Sequence, residues 1–292
     1  MIKLLEDYLN AFREELKGSD RAVVQDALSD AEDHLSAAIE TELSQNPEES
    51  EEEAARAAIE RYGEPAEVAD HYRKVEKYTV PVLTSAGSRE RKRTFFGVIA
   101  EPAAWASLLY MILSLATGII YFTWAVTGVS LSASMMVLVI GVPLAWLFFL
   151  SFRGLAFVEG RIVEALLGVR MPRRAVFIRK GAGWWGSIRG VFSTGSTWSS
   201  LVYLILMLPL GVVYFSVFIV LVALALSMVA DPLLELVFHI QIFDFPEPFW
   251  TPVWLMPFVV LGGALLFMAT LHLARWTGRM HGKLARKILV SG

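Results

Sequence analysis

Cysteine is absent from all 292 residues. Disulfides, thiolate metal sites and cysteine nucleophiles are therefore excluded. Charge is scarce too: 19% of residues are Asp, Glu, Lys or Arg, against about 25% in ordinary soluble domains. Histidine is rare, and His34, His71, His239, His272 and His281 are scattered without metal-ligand spacing. A phosphate-binding glycine loop is missing. Gly181-Ala-Gly-Trp-Trp-Gly186 lacks the Lys-Ser/Thr that would follow, and reads as a tryptophan-anchored interfacial turn. No catalytic constellation is visible, so neither an enzyme nor a metal or cofactor is expected. Charge appears by Lys3, too early for the apolar stretch of a signal peptide, so the N-terminal part is expected to stay unexported.

Apolar residues are abundant, at 55%, and charge is unevenly spread. Residues 1–79 hold 21 acidic and nine basic side chains, a net of −12. Residues 80–292 hold 17 basic and eight acidic ones, a net of +9. Two parts of opposite character point to two domains with different surroundings.

Residues 1–77 show helical periodicity throughout. Leu4, Leu5, Tyr8, Leu9, Phe12 and Leu16 share one face. Val24, Ala27, Leu28, Ala31, Leu35, Ala38, Ile39 and Leu43 share another, until Asn46-Pro47 breaks the helix. Ser50 is an N-cap candidate with Glu51, Glu52 and Glu53 behind it, and Gly63 is a stop before Pro65 opens a last helix. Four short amphipathic helices are expected to bury one small core, steadied by a partner, self-association or the membrane domain.

Asp26-Ala-Leu-Ser-Asp30-Ala-Glu-Asp33-His-Leu35 and Ile59-Glu60-Arg-Tyr-Gly63-Glu64-Pro65-Ala-Glu-Val-Ala69 resemble the HAAS domain, the helix-turn-helix-associated α-helical signalling domain. The Gly-x-Pro-x-x-x-Ala element is the most specific part. The resemblance implies fusion to membrane segments and a link to PadR-type transcription regulators. Asp26, Asp30, Asp33, Glu60 and Glu64 are candidate partner-docking residues on the acidic surface. Direct nucleic-acid binding is not expected of a −12 domain, because phosphate contacts need Lys and Arg.

After a linker at 78–94, four apolar stretches at about 105–126, 131–152, 199–228 and 253–273 each reach the ~20 residues that cross a bilayer core. None has an acidic or basic residue in its interior, so ion-coupled transport has no obvious carrier. All 17 basic residues of this part fall before the first stretch, between the second and third, or after the fourth. The positive-inside rule then places both termini in the cytoplasm, and the family resemblance implies the cell membrane of a prokaryote. The fold class expected is all-α: a polytopic membrane protein with a small helical domain.

The membrane part repeats itself. Trp105 to Phe122 aligns with Trp198 to Phe215 at an offset of 93, with 10 of 18 positions identical. Glu159 to Leu167 aligns with His281 to Leu289 at an offset of 122. Residues 95–175 and 176–292 are thus two copies of one unit: a hairpin of two spans followed by a basic amphipathic helix. Leu-Pro-Leu-Gly-Val-Val-Tyr-Phe at 208–215, Gly-Val-Pro-Leu at 141–144 and Arg153-Gly-Leu-Ala-Phe-Val-Glu159-Gly-Arg161 resemble the "sensor" membrane domain of bacterial and archaeal signalling proteins. The first copy has Ala116-Thr117-Gly118 where the second has Pro209-Leu210-Gly211.

Gly118 and Gly211 sit at matched mid-helix positions, where small residues let backbones approach. The pairs Tyr110/Tyr203 and Tyr121/Tyr214, with Phe122, Phe215 and Pro209, read either as belt and helix–helix contacts or as a pocket for a lipid or apolar ligand. Glu101, Glu159 and Glu164 are expected to pair with nearby arginines. The basic segments 154–174 and 275–289 are expected to lie on the cytoplasmic leaflet. Their Arg170, Arg173, Arg174, Arg279, Lys283, Arg286 and Lys287, with Arg179 and Lys180, are candidates for membrane-surface contact or for receiving the acidic domain. The loop at 230–252 is apolar enough to form a lid or an interfacial helix. These features favour a sensor or regulator that relays an envelope, lipid or apolar-ligand signal. A permease-like subunit working with a separate ATPase, or a lipid-binding structural protein, is the alternative. Partners expected are membrane lipids, a PadR-like regulator and a second copy of the chain.

Overall fold

The computed structural model describes residues 3–76, 81, 83, 95–135, 141–173, 195–238 and 252–290. The N-terminal domain comprises α1 (Lys3–Glu15), α2 (Arg21–Gln45), α3 (Glu51–Tyr62) and α4 (Pro65–Glu76). The ends of α2 and α3 have chemical causes. Asp20 caps α2 by accepting the Ala22 N–H at 2.9 Å. Ser50 and Glu53 form a reciprocal capping box on α3. Those hydrogen bonds, first from the Ser50 side chain and then from its backbone, hold the Glu53 carboxyl below its usual range. Gly63 ends α3 at φ +106°, which a side chain at that position would resist.

Phe12, Leu16, Leu35, Ala54, Ala55 and Ala69 bury a single small core. Two tyrosines tie distant elements across it. Tyr8 donates to the Gly63 carbonyl at 2.8 Å, and Tyr72 donates to Asp30 Oδ2 at 2.7 Å. Burial, with Tyr62 nearby, pushes the Tyr8 hydroxyl up to about 12.

A 3-10 turn (Phe95–Ala100) leads into the membrane part: α5 (Pro102–Met135), α6 (Gly141–Leu167), α7 (Gly195–Phe238) and α8 (Met256–Leu289). All four are long and apolar enough to cross a membrane. No strand occurs among the described residues. The most extensive packing is between the repeat-related α5 and α7.

The reason lies in two glycines. A Cβ on Gly118 would come within 2.6 Å of the Met207 carbonyl oxygen, and one on Gly211 within 2.3 Å of that of Ser114. Residues 114 and 207 are themselves related by the offset of 93, so the contact is reciprocal about a pseudo-two-fold axis. In lipid there is no hydrophobic drive between apolar helices, so close backbone approach and internal polar bonds carry association.

Three boundaries differ from the sequence expectation. Helix α5 continues through 127–130, expected to be an outer turn, and α6 begins at Gly141. Helix α7 continues through Pro232 to Phe238, into the stretch assigned to the outer loop; residues 239–251 lie outside the described residues. The basic segments are not separate leaflet helices. Gly154 to Leu167 continues α6 and Arg275 to Leu289 continues α8. Their inner faces are small enough to pack inside the bundle: Ala156, Gly160 and Val163 on α6, and Ala274, Gly278, Gly282 and Ala285 on α8.

Candidate functional site

Continuation of α6 and α8 carries Glu159 and His281 into the bundle. Both are buried, at 0% and 1% exposure. Neither has an arginine partner among the described residues, contrary to the expectation for Glu159. Tyrosines surround them instead. Tyr110 donates to Glu159 Oε1 at 2.5 Å and lies 2.7 Å from His281 Nε2. Tyr203, its repeat mate, donates to Glu159 Oε1 at 3.2 Å and lies 3.1 Å from the same nitrogen. Tyr121 donates to Glu159 Oε2 at 3.1 Å, and its mate Tyr214 lies 3.3 Å from His281 Nδ1.

The arrangement follows the repeat. Each copy supplies two tyrosines from its first helix and one ionisable residue from its second. The outer tyrosine of each copy serves its own copy's residue, and the two inner ones serve both. An imidazole with its proton on Nε2 satisfies every contact: it donates toward the inner phenol oxygens while Nδ1 accepts from Tyr214. Tyr110 and Tyr121 are eleven residues apart, roughly 16 Å along a helix rising ~1.5 Å per residue, yet both reach Glu159. The carboxylate therefore sits between the levels of Tyr110 and Tyr121, inside the apolar stretch. Buried charge in such a place is costly and persists only when several donors hold it.

Surrounding pairs complete the bundle. Glu101 pairs with Arg275, and Glu164 with Arg161 at 2.7 Å. Arg153 donates to Thr197 Oγ1 at 2.6 Å. Phe122 and Phe215 are half-buried beside the outer tyrosines, and Pro209 is exposed on the outside of α7. The tyrosines thus meet around polar partners, whereas an apolar pocket was one expectation. Sequence reasoning gave Glu159 an arginine partner and gave His281 no role. Their alignment at matched places in the two copies was the signal that would have found them.

The acidic domain rests on the ends of the same two helices. The Arg173 N–H donates to both Asp26 carboxylate oxygens, at 2.8 and 3.0 Å, six residues after α6 ends. Arg286, five residues past His281, pairs with Asp20 at 2.9 Å. Asp30, another docking candidate, is half-buried and accepts from Tyr72 inside its own domain. Glu60 and Glu64 are exposed and Asp33 is half-buried. Arg174, Arg179 and Lys180 lie outside the described residues.

The model of the Sensor family, described as "Putative sensor", matches residues 110–289. The chain belongs to the Sensor family. The match encloses every residue of the tyrosine cluster, from Tyr110 to His281. A second model, HAAS, matches residues 7–70 and so covers the core of the acidic domain. No curated protein and no solved structure matches the chain. This Sensor-family member is therefore a membrane protein that joins a HAAS domain to a four-helix sensor bundle.

Proposed function

We propose that the bundle senses the state of the membrane or an apolar ligand within it, and that the HAAS domain relays that state in the cytoplasm. One observation carries this reading. Glu159 stands on α6, and Arg173 in the turn that follows α6 holds Asp26; His281 stands on α8, and Arg286 of α8 holds Asp20. A shift in how the tyrosines share these two groups moves α6 against α8, and so moves the docking surface. Packed helices respond by small discrete displacements, which suits a two-state relay.

The output partner in this reading is a PadR-like transcription regulator, the partner class with which HAAS domains are associated. The setting is the cytoplasmic membrane of a prokaryote, with both termini inside, as the one-sided distribution of basic residues supports. The test is affinity capture of the full chain from native membranes, followed by identification of bound proteins. A PadR-like regulator that is lost from an Asp26→Lys variant supports the relay. An ATPase retained in its place favours a transport subunit.

A further inference from the structure

Between the acidic domain and the bundle lies a cavity of about 670 Å³. Six cations line it: Arg21 from the start of α2, Arg170 from the turn after α6, and Arg279, Lys283, Arg286 and Lys287 from α8. The last four are spaced i, i+4, i+7 and i+8, which places them on one helical face. Asp20 is the one acidic residue in the wall, and both its oxygens are already engaged, with the Ala22 N–H and with Arg286. The wall therefore carries a net charge of +5.

Simple docking of the acidic domain does not account for this surplus. Asp20 neutralises Arg286 alone, and Asp26 engages the backbone of Arg173 outside the cavity wall. Arg21, Arg170, Lys283 and Lys287 have no ion-pair partner among the described residues. Arg170 is half-buried in the wall, and its Nε has no hydrogen-bond partner among the described residues. Gly168, at φ +67°, turns the chain off α6 and so brings Arg170 to the cavity.

We infer that this cavity binds a phosphate-bearing polyanion, bridging the acidic domain and the membrane helices. Arginine presents a planar fork that matches phosphate oxygens, and lysine adds point charges. Several clustered cations suit a ligand with two or more phosphates better than a single carboxylate. Such a ligand has two sources: the headgroup of an anionic lipid such as cardiolipin in the adjacent leaflet, or a soluble oligophosphate. The inference is independent of whether the protein signals.

The experiment is thermal unfolding of the full-length protein with two probes. One arm adds inorganic pyrophosphate in zwitterionic detergent, at ionic strength matched with chloride. The other compares nanodiscs of phosphatidylcholine with nanodiscs of phosphatidylcholine plus cardiolipin. At least one probe raises the midpoint of the wild type. Pyrophosphate stabilisation identifies a soluble ligand, and stabilisation by cardiolipin alone identifies a headgroup. In Lys283→Gln/Lys287→Gln the apparent affinity falls by about tenfold, consistent with two lost charge-assisted contacts at a partly exposed site. Both lysines are exposed, so the helix keeps its packing. Arg170→Gln gives the same direction of change through a different wall. Arg56→Gln, on α3, controls for general charge and leaves the response unaltered. No stabilisation by either probe overturns the inference. So does an equal response in wild type and both cavity variants, or an equal loss in Arg56→Gln.

Discussion

Tyr110 places its hydroxyl 2.5 Å from Glu159 Oε1 and, from the same oxygen, 2.7 Å from His281 Nε2. One phenol thus joins the two ionisable residues that the internal repeat puts at equivalent positions. Tyr203, related to Tyr110 by the repeat, reaches the same two atoms.

That redundancy has a measurable consequence. Tyr110→Phe and Tyr203→Phe each leave the other hydroxyl to donate to Glu159 and to accept from His281, so each alone is mild. Their combination leaves Glu159 Oε1 without its shared donors and the His281 Nε2–H without its acceptors. A double-mutant cycle on thermal or denaturant unfolding in detergent is expected to show a coupling of about 0.5–1.5 kcal/mol, the double variant being worse than the sum. Strict additivity would mean that the phenols act separately.

Glu159→Gln keeps the shape of the side chain but exchanges one acceptor oxygen for an N–H group. At least one tyrosine hydroxyl then loses its acceptor inside the bundle. Destabilisation of roughly 1–2 kcal/mol follows, read as a lowered unfolding midpoint. A midpoint unchanged from wild type would show that the carboxylate is dispensable for packing.

The helix crossing is tested at its glycines. Gly118→Ala places a methyl 2.6 Å from the Met207 carbonyl oxygen, and Gly211→Ala places one 2.3 Å from that of Ser114. These are backbone atoms on a packed helix, which cannot swing aside as a side chain can. Each substitution is expected to cost about 1–3 kcal/mol by forcing α5 and α7 apart. Gly195, whose added Cβ would meet nothing within 4 Å, serves as the control for glycine replacement itself.

In the acidic domain, Tyr8→Phe removes the bond to the Gly63 carbonyl while preserving ring packing against Phe12 and Tyr62. A loss of about 1 kcal/mol is expected. The Tyr8 proton leaves only near pH 12, raised above the ordinary tyrosine value by burial. A raised folded-state value means that this contribution is complete below the ordinary tyrosine value and is lost as pH climbs through about 12. The difference between wild type and Tyr8→Phe should therefore stay constant from pH 6 to 9. A difference that varies across that range would contradict the assignment.

Much of this was legible in sequence, for definite reasons. Leu5, Tyr8, Phe12 and Leu16 recur at helical spacing because one face of α1 must be buried, and Ser50 caps α3 as its place before three glutamates suggested. The offset of 93 disclosed the α5/α7 pair. Helix ends in the membrane were less legible. Hydropathy marks residues that tolerate lipid, and it does not mark where the chain turns. Residues 127–130 have no proline to break α5, so the helix runs on. Glu159 and His281 were obscured for a related reason. Charged and polar residues after an apolar run read as the end of a span, because a desolvated carboxylate is assumed costly. Three phenols from the partner helices, Tyr110, Tyr121 and Tyr203, offset that cost, and no property of α6 or α8 alone reveals them.

Docking of the acidic domain is a separate matter from stability. The Arg286–Asp20 pair is partly exposed, so its own worth is below about 1 kcal/mol. Asp20→Arg should nonetheless raise the protease sensitivity of the acidic domain in membranes, and the added Arg286→Asp should restore part of the protection. Equal sensitivity in all three proteins would remove this pair from the docking surface.

The central claim is that the buried cluster and the docked domain report on each other. Hydrogen exchange at residues 20–26, measured on full-length protein in nanodiscs, tests it most directly. Faster exchange there in Glu159→Gln than in wild type, with α3 unaffected, is the predicted result. Identical exchange at 20–26 in the two proteins, while the bundle itself is measurably altered, would contradict the account.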